Sequence, residues 1–218
     1  MPMLKKIAYT ISYKSRLSKL DQFYAYYKSG RVLDVGVTSG NNAKGSNIFL
    51  KSFRYSSGQY TGLGVENLDE VSQNYPDKKF VQYDGRIFPF DDNEFDWVFS
   101  NAVIEHVGKS SSQLLFLNEM LRVGRNVFFT TPNKYFPVES HTRVLFLHWF
   151  DGPFYRWCSR NRPLLNEESL SLLSYGDIEK LLEHSNAEQY NIRCNRFLGM
   201  TMTYTVVCSD GKLSTPAP

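Results

Sequence analysis

The chain has 218 residues, 42% of them hydrophobic and 22% charged, and a net charge of +3. This length and balance read as one sizeable, soluble, globular domain with a single core. So mild a positive charge does not by itself argue for a nucleic-acid-binding protein, which usually shows a clustered basic face, and no nucleic-acid partner is expected. The cysteines Cys158, Cys194 and Cys208 are far apart and odd in number, which fits reduced thiols in a cytoplasmic protein better than a disulfide or metal framework.

In chain order, the first 29 residues read as a helical cover. Tyr, Thr and Ser interrupt the apolar run of "MPMLKKIAYTISYKSRL", and no small-residue cleavage site follows, so no signal peptide is expected. No run approaches the ~18 apolar residues of a membrane-spanning helix. Short apolar runs follow at 31–36, 59–66, 78–84, 94–101 and 125–131, and read as strands. Between them, 46–55, 67–75 and 111–123 carry helical spacing, the last with Leu114, Leu117 and Leu121 on one face and Ser110, Ser111 and Ser112 as candidate N-caps.

This alternation predicts an α/β fold, a doubly wound and mostly parallel sheet with helices on both faces. Downstream, 143–162 mixes aromatic residues with Arg143, Arg156, Arg160 and Arg162. It reads as an aromatic helix packed on the sheet, as a lid over a pocket, or as a peripheral membrane contact. A helix at 175–185 precedes two alternating stretches, "EQYNIRCNRF" and "MTMTYTVVCS", joined closely enough to pair as a hairpin. The sheet is thus expected to hold seven strands with an antiparallel C-terminal edge strand. The whole chain reads as one domain: cover 1–29, core 30–142, insertion 143–174, helix and hairpin 175–209, and a frayed tail 210–218.

In an open α/β sheet, ligands bind beyond the carboxyl ends of the strands. Small and polar residues gather there: Gly36, Thr38, Ser39 and Gly40 after the first strand, Glu66 after the second, Asp84 and Gly85 after the third, Ser100 and Asn101 after the fourth, and Thr131, Pro132 and Asn133 after the fifth. Gly36 and Gly40 let a ligand approach the backbone closely. Glu66 can accept two hydrogen bonds from a ribose diol, although it lies 32 residues beyond Asp34, farther than usual. Asp84 can accept from the exocyclic amine of adenine.

The stretches "RVLDVGVTSG", "GLGVEN", "VQYDGRIFPFDDNEFDWVFSNAVIEHV" and "EMLRVGRNVFFTTPNKYFPVESHT" resemble successive motifs of the class I S-adenosylmethionine-dependent methyltransferases, specifically their small-molecule branch. The resemblance spans about residues 30–142 and implies S-adenosylmethionine as cofactor. It places Asp34, Gly36 and Gly40 along the methionine part, Glu66 on the ribose, Asp84 and Gly85 at the adenine, and Asn101 between the methionine end and the substrate. Thr38 departs from the glycine common at its position and predicts a wider turn.

Methyl transfer needs a base only if the acceptor must lose a proton. His106, Glu139 and His141 are the candidate catalytic residues, each with a structural alternative: His106 opening a helix, Glu139 and His141 stabilising their loop. No metal is expected, because the histidines and the glutamate lack helical ligand spacing. The loop "TPNKYFPVESHT" with the "LHWF" that follows is similar to members linked with glycan modification, which implies O-methylation of a small-molecule or glycan acceptor. A lipophilic quinone-type acceptor and a non-catalytic binding module are the competing readings. A nicotinamide dehydrogenase is disfavoured by the glycine spacing.

Overall fold

The computed structural model describes residues 2–39 and 46–211. Its strands are β1 (Val32–Val35), β2 (Tyr60–Gly64), β3 (Lys79–Gln82), β4 (Trp97–Asn101), β5 (Asn126–Pro132), β6 (Gln189–Phe197) and β7 (Met200–Ser209). They form one seven-stranded sheet in the order β3-β2-β1-β4-β5-β7-β6. The pairs among β1 to β5 are parallel, whereas β7 runs antiparallel to both β5 and β6. The strand order reverses between β1 and β4, which fixes the ligand crevice at their carboxyl ends.

Alternation along the strands sends side chains to two cores. Leu33, Val98, Val127 and Phe129 face one cluster, with Leu117 and Met120 of α4 (Ser110–Val123) and Ile178 and Leu182 of α6 (Tyr175–Glu183). Val32, Phe99 and Phe128 face the other, with Leu20 and Phe23 of α1 (Pro2–Tyr26), Phe49 of α2 (Ile48–Ser52) and Val71 of α3 (Asp69–Asn74). The Phe23 ring lies 5.0 Å from Phe99, which stacks on Phe49 at 4.2 Å. Aromatic contacts of this kind add about 0.5–1.5 kcal/mol beyond burial. They pin the C-terminal half of α1 to the sheet, so that its middle, Ile11 to Lys19, reaches the crevice.

The expected helix over 46–55 is only α2, because Asn47 sits at a left-handed φ of 50° and Phe53 is already extended. None of the three serines caps α4; the helix begins at Ser110, and Lys109 holds the cap position without a side-chain bond. At the end of the chain, Leu198 and Gly199 both take positive φ, the requirement of a tight two-residue hairpin turn. The hairpin holds the sheet edge, and within it β7 lies inside and β6 outermost.

The segment after β5 forms a single 3-10 turn over Leu147–Trp149 and the helix α5 (Asp151–Asn161). Phe154, Cys158 and Leu170 close a small core of their own here. Its last part is tied to the β4 end by the Ser171 amide, which donates to the Glu105 carbonyl at 2.7 Å.

Candidate active site

Five parallel strands deliver their carboxyl ends to one side, and the site falls into two halves. The first half lies over β1, β2 and β3. Gly36 turns the chain out of β1 with φ of +100°, and a Cβ there would stand 2.3 Å from Val103. The Gly36 and Val37 amides both donate to the Leu63 carbonyl, which draws the loop across the end of β2. At Gly64 a Cβ would meet the Val37 carbonyl oxygen at 2.1 Å, so the crossing needs glycine there too.

Thr38 has no positive φ, since Gly36 makes the turn. Its amide donates to Asn47 Oδ1 at 3.0 Å, and Asn47 Nδ2 returns a bond to its carbonyl at 2.9 Å. Asn47, absent from the sequence reading, therefore does much of the work of shaping this loop. Gly40 lies outside the described residues.

Glu66 accepts from the Ser39 amide at 2.9 Å and the Ser39 hydroxyl at 2.6 Å. These two bonds hold its carboxyl below the usual range, and it stays ionised and open to solvent. Asp84 accepts from the Arg86 and Ile87 amides, which likewise lower it, and Gly85 follows at φ +85°. Val65 and Ile87 expose 56% and 55% of their surface beside these acids. An ionised acid just beyond β2, an acid just beyond β3 and apolar side chains beside them suit the ribose and adenine of a nucleoside. Asp34 differs: it is buried in β1 and accepts from the Tyr60 phenol at 2.5 Å, with burial pushing its carboxyl up to about 7 against the opposing effect of that bond.

The second half is a cavity of about 430 Å³ over the ends of β4 and β5. Arg16 and Lys19 of α1 line it, with Asn101 and Ala102 after β4 and His141 and Arg143 from the loop after β5. Asn101 accepts from Thr130 Oγ1 at 2.7 Å, and Ala102 turns away with φ of 59°. Burial lowers Lys19 to about 8, partly opposed by the attraction of Glu105.

Glu139 is 2% exposed and is the staple of its loop. It accepts from the His141 amide, the Thr142 amide and hydroxyl, and His141 Nδ1 at 2.7 Å. Burial alone would raise its carboxyl, but these bonds outweigh it and hold it at about 2. Burial pushes His141 down, and its bond and charge pairing with Glu139 overcome this and leave it raised. His106 does not open a helix. It sits in a 3-10 turn over Ile104–His106, with Nδ1 bonded to the Ser169 carbonyl at 2.8 Å and Nε2 3.0 Å from His141 Nε2. Its neighbour Glu105 is fully buried and accepts from Thr131 Oγ1 at 3.1 Å.

Thus the structure brings His106, Glu139 and His141 together and groups Gly36, Thr38 and Glu66 in the loop crossing, with Asp84 and Gly85 at the end of β3. The sequence reading missed Asn47, Arg16 and Lys19. Nothing in a lone helix of mixed polarity marks which residues will overhang a crevice; only the aromatic anchor of α1 settles that.

Residues 33–126 match the sequence model of the methyltransferase domain. None of the curated sequences compared matches the chain. Among solved structures, the chain is similar to an S-adenosylmethionine-dependent methyltransferase of Methanosarcina mazei, with 12% identity, coverage of 86% of this chain and 96% of that one, and a TM-score of 0.55. It is also similar to a Thermotoga maritima protein described as a possible histamine N-methyltransferase, at 12% identity, 89% coverage of both chains and a TM-score of 0.56. A third is a phosphoethanolamine N-methyltransferase of Haemonchus contortus bound to phosphomonomethylethanolamine and S-adenosylhomocysteine, at 17% identity, coverage of 84% and 38%, and a TM-score of 0.54. At these identities the structures speak to the fold, which is that of the Rossmann-like methyltransferases. The matched domain spans β1 to the start of β5; the chain is an enzyme of methyl transfer, and S-adenosylmethionine is its cofactor.

Proposed function

We propose that the chain methylates a hydroxyl of a small polar or glycan acceptor held in the cavity over β4 and β5. The observation that carries this reading is His141, fixed by the buried Glu139 carboxylate and facing the cavity beside Asn101. A hydroxyl must lose a proton to attack carbon, and the group formed by His106, Glu139 and His141 is the place for that loss.

Glu66 would hold the ribose diol, Asp84 and Gly85 the adenine edge, and the backbone from Gly36 through Thr38 the methionine part. Asp34, bonded to Tyr60, supports that loop from within the sheet. When bound, the cofactor supplies a methyl group on a sulfonium, and the protein supplies alignment and exclusion of water. Asn101, between the two halves, borders both ligands. Arg16, Lys19 and Arg143 give the cavity wall a positive charge. This favours an acceptor that carries a carboxylate or phosphate beside its hydroxyl. The 143–174 insertion acts as the lid of this cavity.

A second reading, a lipophilic or membrane-borne acceptor, draws support from the exposed side chains of Val138, Leu145, Phe146 and Phe150. Among the described residues no helix is long and apolar enough to cross a membrane, so such an acceptor would be met at the surface. Transfer of labelled methyl to a panel of sugars, sugar acids and quinols separates the two readings. Labelling of hydroxylated acids supports the first; labelling of quinols alone sinks it.

A further inference from the structure

Three side chains meet beside the cavity, His141 lining it, and each has one polar atom tied down and another turned to a common point. The Ser169 carbonyl can only accept, so His106 Nδ1 carries a proton and its Nε2 presents a lone pair when neutral. Glu139 is an ionised acceptor, so His141 Nδ1 carries a proton too, and its Nε2 presents a lone pair when that ring is neutral. These two Nε2 atoms face each other at 3.0 Å. Two lone pairs at that distance repel unless something positive lies between them.

Behind them, Glu105 is 0% exposed, and its Oε1 is buried with no hydrogen-bond partner, while Oε2 is held by Thr131. A buried carboxylate oxygen without a partner is costly and calls for a cation or a donor. One carboxylate oxygen of Glu105 and a ring nitrogen of each histidine lie within 4.8 Å of one another.

We propose that Glu105, His106 and His141 form a binding site for a divalent transition metal ion of the zinc, cobalt or manganese type. Two imidazoles and a carboxylate are a donor set that suits such ions and leaves coordination positions open toward the cavity. Nitrogens 3.0 Å apart subtend an angle of roughly 95° at an ion with usual metal–nitrogen distances, a normal angle for neighbouring ligands. An ion there would draw the carboxylate oxygen the remaining distance. Ligating histidines usually donate their second ring N–H to a carbonyl or carboxylate, and here Ser169 and Glu139 supply one of each. The negative charges of Glu105 and Glu139 offset the ion.

The helical-spacing rule passes over this site because its ligands come from two loops, His106 and His141 being 35 residues apart. The inference deepens the methyltransferase reading, since an ion at this wall would lower the pKa of an acceptor hydroxyl bound to it.

The test is titration of the chelator-stripped full chain with Co²⁺, followed by visible absorption, with Zn²⁺ competition and S-adenosylhomocysteine calorimetry on the same preparation. One Co²⁺ per chain, displaced by Zn²⁺ and lost in both His106→Ala and Glu105→Gln, is the expected result. His106 is exposed, so its variant should fold, and circular dichroism checks both variants. Absence of saturable Co²⁺ binding, or binding unchanged in His106→Ala, overturns the site, and the two facing nitrogens then share a proton instead. Metal binding without S-adenosylhomocysteine binding would leave the site standing and count against the cofactor crevice. The reverse pattern would leave the crevice and remove the metal.

Discussion

The two halves of the crevice are built on different principles. Over β1, β2 and β3, backbone carries the work: Gly36 and Gly64 allow two strand ends to cross, and exposed acids stand at the ends of β2 and β3. Over β4 and β5, side chains carry most of it: the buried Glu139 carboxylate orients His141, the Ser169 carbonyl orients His106, and a helix from the other end of the chain brings cations to the wall. A half made of backbone serves an invariant ligand. A half made of side chains and a long insertion can be changed to suit another acceptor without disturbing the first.

If the halves are separable, variants in one should leave the other intact. The largest effect is expected from His141→Ala, with turnover falling by roughly 10²–10⁴-fold, the usual span for a proton-transfer contribution. Its affinity for S-adenosylhomocysteine should stay at the wild-type value, measured by calorimetry; a parallel loss would merge the halves. Next comes Glu66→Ala. It removes a charged acceptor worth about 1.5–3 kcal/mol per bond, or roughly 10–100-fold in cofactor affinity, while circular dichroism stays native.

Gly64→Ala should cost stability first. Its Cβ meets the Val37 carbonyl, and relief of such overpacking costs about 1–3 kcal/mol, read from urea denaturation. Cofactor affinity should fall with it, because the displaced strand end carries the loop.

Asp34 gives a pH test. Its carboxyl is raised in the fold to about 7, so the folded state holds a proton that the unfolded chain has lost. Stability from this group is therefore full below the ordinary carboxylate pKa and falls as pH rises toward about 7. Asp34→Asn keeps an acceptor for Tyr60 and cannot ionise. The wild-type Tm should drop from pH 5 to pH 8 by more than that of the variant, and equal slopes would show that Asp34 titrates normally.

The smallest effect belongs to Asn47→Ala. It frees Thr38 and should weaken cofactor binding by the ~1 kcal/mol of a typical hydrogen bond, with turnover at saturation unchanged.

The backbone half was the more legible in the sequence. A strand ending in glycine, and an acid at the end of the next apolar run, are local patterns, and Gly36, Glu66 and Asp84 could be found by walking to the end of each strand. Thr38 looked like a defect because the turn was assigned to it, whereas Gly36 supplies the positive φ. The side-chain half resisted for a physical reason. Its contacts join residues far apart in sequence, with Glu105 and His106 meeting His141 across α4 and β5 and Lys19 arriving from α1. No periodicity encodes such meetings. The motif around Glu139 named the loop, but only the packing shows that the acid is its staple and the histidine its working face.

The central claim is that a cofactor half and an acceptor half act as separate units. Calorimetric titration of S-adenosylhomocysteine into the wild type, Glu66→Ala and His141→Ala tests it most directly. The account predicts saturable one-to-one binding to the wild type, the same affinity in His141→Ala, and a loss in Glu66→Ala. No binding to the wild type, or binding that survives in Glu66→Ala, would contradict it.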